Sequence, residues 1–170
     1  MPKLSAGILP YRRHGDRIEV LLVHPGGPFW SRKDVGAWSI AKGEYVEPEP
    51  PLDAAIREFA EETGHTPVGP FRQLARIRQP GGKLLDVWMT QDDWNASDFV
   101  SNAFSMEWPK GTGKMQSFPE VDRVEWLDIV LAARKILPGQ LGFLFELHLT
   151  LTGKPLDSSP PDDQAQPSLF

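Results

Sequence analysis

The stretch from Gly43 to His65, GEYVEPEPPLDAAIREFAEETGH, leaves this chain the least freedom. Pro50 and Pro51 stand side by side in it. A helix takes proline only at its entrance, where an N–H is unneeded and the fixed φ already suits the first turn. Gly64 ends the stretch, and a glycine there can turn left-handed and stop a helix. Between these marks Leu52, Ala55, Ile56, Phe59 and Thr63 recur with the i, i+3, i+4, i+7 rhythm of a buried stripe. Asp53 falls in the first turn, where negative charge suits the helix dipole. The segment therefore reads as an acidic loop followed by a short amphipathic helix.

That helix carries three carboxylates where a purely structural helix would place a lysine. Glu58, Glu61 and Glu62 share an arc roughly 100° wide beside the apolar stripe. Like charges at i,i+4 cost a few tenths of a kcal/mol. A solvated acidic face accounts for this pattern in an arbitrary chain. A bound cation accounts for it as well, by turning repulsion into attraction. Carboxylate oxygens on a rigid element suit Mg2+ or Mn2+, which keep waters and bridge to phosphate oxygens.

The spacing goes further. Gly43, Glu49, Arg57, Glu58, Glu61, Glu62 and Gly64, with the apolar Phe59, resemble the Nudix box residue for residue. So many fixed identities coincide by chance on the order of once in a hundred million windows. The one departure is His65, where the family usually carries an aliphatic residue. The resemblance implies an α/β fold, an α/β/α sandwich with a mixed β-sheet, over about residues 3 to 150. It also implies metal-dependent hydrolysis of a nucleoside diphosphate linked to another group. Glu58, Glu61, Glu62 and the Gly43 carbonyl are then the metal ligands, with Mg2+ as cofactor and Mn2+ able to substitute. Glu120, just before a strand, matches a carboxylate that in the family helps bind metal or activate water, so the general base is Glu61 or Glu120. Lys42 resembles the lysine of a PKG entry, with Ala41 in place of proline, and suits a phosphate oxygen. That entry, PEVD at 119–122 and the ARKI-PGQ stretch resemble a bacterial group described as predicted NTP pyrophosphohydrolases. Nucleoside triphosphates and dinucleoside polyphosphates head the substrates. Two alternatives stay open: a sensing module that binds nucleotide without cleaving it, and an enzyme acting on RNA 5′ ends.

Composition narrows the rest. The chain has 170 residues, enough for one domain. With 40% hydrophobic and 24% charged residues it reads as soluble and globular. It has no cysteine, so thiolate metal sites and disulfides are excluded and the cytoplasm is the expected compartment. No apolar run reaches the ~18 residues of a membrane span. A net charge of −5 argues against a general nucleic-acid surface but not against a phosphorylated small molecule, because a bound metal reverses the local sign.

Around the box, Ser5–Tyr11 and Ile18–Val23 read as a hairpin turning at His14-Gly15-Asp16. Trp38 to Ile40 reads as a short strand feeding the box, with Trp38 in the core. Trp30, in a Gly/Pro-rich loop, is the candidate for stacking on a base. Arg57 can hold Glu49 bidentately, pin the loop to the helix and orient Glu58. Gln73–Gln79 and Leu84–Thr90 read as a strand pair. The segment from Asp92 to Met115 is too long for an ordinary connection and reads as a flap, with Lys110 and Lys114 facing a polyphosphate. Asp128 caps a helix over about Ile129–Leu137, Pro138-Gly139-Gln140 breaks it, and an apolar helix runs to about Leu151. The domain spans 1–153. Residues 154–170 form a Pro/Asp-rich tail of mobile composition, and with the last helix they offer a surface for a homodimer.

Overall fold

The computed structural model describes residues 2–157. The first apolar run forms β1 (Leu4–His14), which turns through Gly15 at φ 64° into β2 (Arg17–Pro25). β3 (Ala41–Tyr45) lies antiparallel on β1. The box helix α1 follows as Pro51–Thr63, entered through Pro50 and closed by Gly64 at φ 79°. Next come β4 (Arg72–Gln73), β5 (Ile77–Arg78) and β6 (Leu84–Gln91), the last running parallel to β1. After a short 3-10 turn, β7 (Ala103–Glu107), β8 (Met115–Pro119) and β9 (Val121–Asp128) lead into α2 (Ile129–Lys135) and α3 (Leu141–Thr152).

The main sheet runs β4-β6-β1-β2-β9, with β3 on β1 and β5 on β6. It is mixed, and strand alternation splits its side chains between two cores. Ala6, Ile8, Leu21 and Val23 face α1 with Ala54, Ala55 and Phe59. Leu9, Val20, Leu22 and Leu127 face α2 and α3 with Phe143, Leu144 and Leu147. The expected α/β/α sandwich is what forms. Fully burying a Leu or Phe side chain contributes roughly 1.5–3 kcal/mol, so the first of these layers fixes α1, and with it the box, against the sheet, and the second holds α2 and α3 on the opposite face.

Two local expectations are corrected, and a third segment proves to carry structure of its own. The strand expected over Gln73–Gln79 splits into β4 and β5. At the break the Ala75 N–H donates to the Glu146 carboxylate of α3 at 2.7 Å, and Arg76 pairs with buried Asp86. Trp38–Ile40 forms bridges to Val23 and Ile136 in place of a full strand, although Trp38 is buried as expected. The long segment after Asp92 holds an ordered hairpin, β7–β8, that forms a separate two-stranded sheet. Phe104 approaches Gly27, and Trp108 meets Phe29 edge-on at 5.5 Å, so the hairpin packs on the loop that carries Trp30. The tail expected over 154–170 lies, beyond residue 157, outside the described residues. Among the described residues no helix is long and apolar enough to cross a membrane.

Candidate active site

The site is assembled where α1 crosses β3. Gly7 lets β1 lie close against β3, since a Cβ there would come within 2.6 Å of the Ala41 carbonyl oxygen. Gly43 permits the next layer: a Cβ at that position would overlap the Glu58 carboxylate. Glu58 therefore lies directly over the strand backbone, which is why a glycine stands at position 43. One helical turn on, Glu62 lies within electrostatic reach of Lys42 and lines the same cavity with it.

Burial governs the charges here. It pushes the Glu62 carboxyl up to about 8, with Lys42 opposing the shift and Glu58 and Glu120 adding to it. Glu58 is raised for the same reason, against the pull of Arg57. The Lys42 ammonium is depressed, first by burial and then by the neighbouring charge of Lys83. Glu120 sits between β8 and β9; its N–H donates to the Asn102 carbonyl at 2.7 Å and its own carbonyl accepts from Gly26 at 2.9 Å. Lys42, Glu62, Glu120 and Trp30 line one cavity of about 200 Å3, with apolar walls from Val23, Ile40 and Leu137.

Arg57 has the expected double contact with Glu49, at 2.8 and 2.9 Å, and holds that carboxyl below its ordinary range. It also donates to Glu58 at 2.6 Å and lies 3.3 Å from both oxygens of Glu61. The helix thus balances two of its carboxylates with its own guanidinium. Among the described residues no group of three His, Asp or Glu side chains forms a ready-made metal cage. The donors nevertheless fit a hard divalent cation in type and charge. Glu58 and Glu62 offer carboxylate oxygens raised first by burial and then by neighbouring carboxylates, Glu61 and Glu120 for Glu58, Glu58 and Glu120 for Glu62, and a nearby cation would relieve both effects.

Lys110 and Lys114 stand elsewhere. They are exposed at the tip of the β7–β8 hairpin, around a turn whose Gly111 and Gly113 N–H groups donate to Glu107, and they do not line the cavity. His65, the departure from the box pattern, stacks on Trp94 at 4.6 Å and meets Asp92 at 2.8 Å. It packs behind the helix.

Two supports were not legible. The buried Gln140 amide accepts from the Ile40 N–H at 2.9 Å and donates to the Ser39 hydroxyl at 3.0 Å. It fixes the strand that enters the box. His24, fully buried, spans the Asp122 carboxylate at 2.7 Å and the Lys33 carbonyl at 2.6 Å, tying the Trp30 loop to β9. The partners are about a hundred residues apart in the first case and 98 in the second. No local pattern joins them; a glutamine in a Pro-Gly-Gln helix break was the one signal on offer.

The sequence matches the profile of the NUDIX domain over residues 1–146. An 8-oxo-(d)GTP phosphatase of Mycolicibacterium smegmatis is 30% identical over 119 residues, which are 68% of this chain and 29% of that protein. The chain thus spans under a third of the length of that curated relative. Among solved structures, the NUDIX domain of Shewanella oneidensis NrtR complexed with ADP ribose superimposes with a TM-score of 0.61 at 18% identity, covering 89% of this chain and 90% of that one. A Caenorhabditis elegans Ap4A hydrolase gives 0.60 at 20% identity, covering 88% and 99%. At such identities the likeness is one of fold.

Proposed function

The chain belongs to the Nudix family, and on that premise we propose that it hydrolyses a pyrophosphate bond in a nucleoside diphosphate linked to a further group, with a nucleoside triphosphate or dinucleoside polyphosphate as substrate. One observation carries this reading: a single cavity is lined by the Lys42 ammonium, the partly buried Glu62 carboxylate and Glu120, and Glu58 lies on the adjoining Gly43. Glu58, Glu61, Glu62 and the Gly43 carbonyl would hold Mg2+, or Mn2+ in its place. Bound there, the metal supplies neutralisation of phosphate charge and polarisation of the attacked phosphorus.

The chain's own residues do the rest. Lys42 holds a phosphate oxygen of the linkage as a point charge. Trp30 offers an aromatic face to the base at the cavity wall. Glu61 or Glu120 takes the proton of the attacking water. Arg57 orients Glu58 while anchored on Glu49, so it is a positioning residue. The hairpin-tip lysines have no part in this reading. The relative named an 8-oxo-(d)GTP phosphatase supports a triphosphate substrate. The net charge of −5 weighs against RNA ends.

A second reading, nucleotide binding without cleavage, draws on the Arg57 contacts to Glu58 and Glu61, which compete with a metal for the same oxygens. One experiment separates the two. Products are followed by chromatography for wild type, Glu61→Gln and Glu62→Gln, with Mg2+ and with Mn2+, across triphosphates, dinucleoside polyphosphates and nucleotide sugars. Hydrolysis by wild type and a loss of at least ~100-fold in both variants supports the enzyme. Binding with no mononucleotide, phosphate or pyrophosphate formed from any substrate leaves the sensor.

A further inference from the structure

A second cavity shares a wall with the first. It holds about 450 Å3 and is lined by Lys42, Gln79, Pro80, Lys83 and the turn from Leu137 to Gly139. Lys42 and Leu137 belong to both cavities, so the two spaces meet at these side chains. The first cavity, at about 200 Å3, falls short of the roughly 300–1,000 Å3 usual for a small-molecule site. A nucleotide carrying several phosphates needs more room, and the adjoining space supplies it.

The walls of this second space are built. Gln79 donates from its N–H to the Lys83 carbonyl at 2.8 Å, and Gly82 donates to Gln79 at 2.9 Å, so the β5–β6 turn presents Lys83 from a fixed base. Opposite, Gly139 packs against that turn: a Cβ on it would come within 3.1 Å of Pro80 Cδ. The charge is cationic. Lys83 lies 2.8 Å from Glu44, and Lys3 lies 3.9 Å from the same carboxylate. Lys42 is close enough to feel Lys83 as a repulsive neighbour. Lys83 and Lys3 thus flank Glu44, which also feels the charge of Lys42, is half exposed and pairs weakly. An ammonium on a flexible stem can exchange such a partner for phosphate oxygens without demanding two-pronged geometry.

We propose that this second cavity is a subsite for an anionic group of the substrate beyond the scissile linkage, a terminal phosphate or further phosphate run held between Lys42 and Lys83. The assignment rests on the pyrophosphohydrolase reading above and narrows its substrate to one bearing at least one phosphate beyond the two that the cleaved bond joins.

Wild type, Lys83→Gln and Lys83→Arg are compared on a nucleoside triphosphate and on a nucleoside diphosphate sugar, whose far end is neutral. Losing one charge-assisted phosphate contact at a half-exposed site is expected to raise KM for the triphosphate about tenfold in Lys83→Gln. Its kcat should hold within about twofold, since the contact is made equally in ground and transition states. KM for the sugar should not move, and Lys83→Arg should restore the triphosphate value. Equal shifts on both substrates, or none on the triphosphate, overturn the subsite. Calorimetric binding of inorganic tripolyphosphate to the same proteins keeps this test apart from the reaction itself. If wild type hydrolyses neither substrate, the enzymatic reading fails, while tripolyphosphate binding about tenfold weaker in Lys83→Gln still supports the subsite. Equal binding to wild type and Lys83→Gln overturns it.

Discussion

Arg57 grips Glu49 by two parallel contacts, Nε to Oε2 at 2.8 Å and Nη2 to Oε1 at 2.9 Å, while its remaining nitrogen donates to Glu58 at 2.6 Å. One planar group thus joins the loop before α1 to the helix and aims a carboxylate. An ammonium can make one of these contacts but not the fork. Arg57→Lys is expected to lower kcat by about ten- to a hundredfold, the scale of a displaced catalytic group. The pair is half exposed, so the melting temperature should move by only a few degrees. Steady-state kinetics and a thermal melt on the same sample check both; a large loss of stability would mean that Arg57 is structural first.

The contact between Gly43 and Glu58 makes a sharper demand. A methyl at position 43 would occupy the carboxylate's place. Either the side chain of Glu58 moves or the strand does. Gly43→Ala is expected to reduce kcat by at least ~100-fold, with near-native far-UV dichroism because β3 keeps its pairing to β1. Activity within about threefold of wild type would show that Glu58 need not lie over the strand.

Much of this was legible from the chain, and the reason lies in how local each signal is. The bounds of α1 follow from Pro50, Pro51 and Gly64, three residues whose backbone chemistry leaves little choice. The carboxylate arc follows from helical spacing, and the Glu49–Arg57 pair from opposite charges eight residues apart. What escaped depends on distant partners. Nothing near Ala75 announces that Glu146 will take its N–H and split a strand. Nothing near Lys110 and Lys114 says that their glycine-rich turn is the tip of a hairpin, because a loop rich in Gly and Lys suits a phosphate-binding flap equally well. The placement of Arg57 between Glu58 and Glu61 was half visible: its pairing with Glu49 was expected, its contact with Glu61 was not.

Gln140 is the support with the longest reach. Its side-chain oxygen takes the Ile40 N–H in a fully buried setting, and the same residue holds Ser39. Gln140→Leu keeps much of the volume and orphans the Ile40 donor, which costs roughly 1–3 kcal/mol. Urea denaturation should show that loss with an unchanged m-value. Because Ser39 and Ile40 line the first cavity, KM should rise as well. Loss of stability with unaltered kinetics would confine Gln140 to the fold.

The partly buried Glu62 gives a pH dependence whose sign can be worked out. Burial raises its pKa from 4.5 to about 8. Between those values the metal-free native protein keeps a proton that the unfolded chain has released. Stability should therefore be highest below about pH 4.5 as far as this group is concerned, fall by a few kcal/mol as pH rises to about 8, and level off above. Lys42, held below 10.5 by burial, acts in the opposite sense as pH approaches that value. Added Mg2+ should reverse the Glu62 effect, since a cation binds the charged carboxylate. Its stabilisation should thus be larger at pH 8.5 than at pH 6. Chemical denaturation across pH, with and without Mg2+, checks this, and Glu62→Gln should flatten both curves. A wild-type profile as flat as the variant's would mean that Glu62 is charged in the absence of metal, with Lys42 alone meeting the cost of burying it.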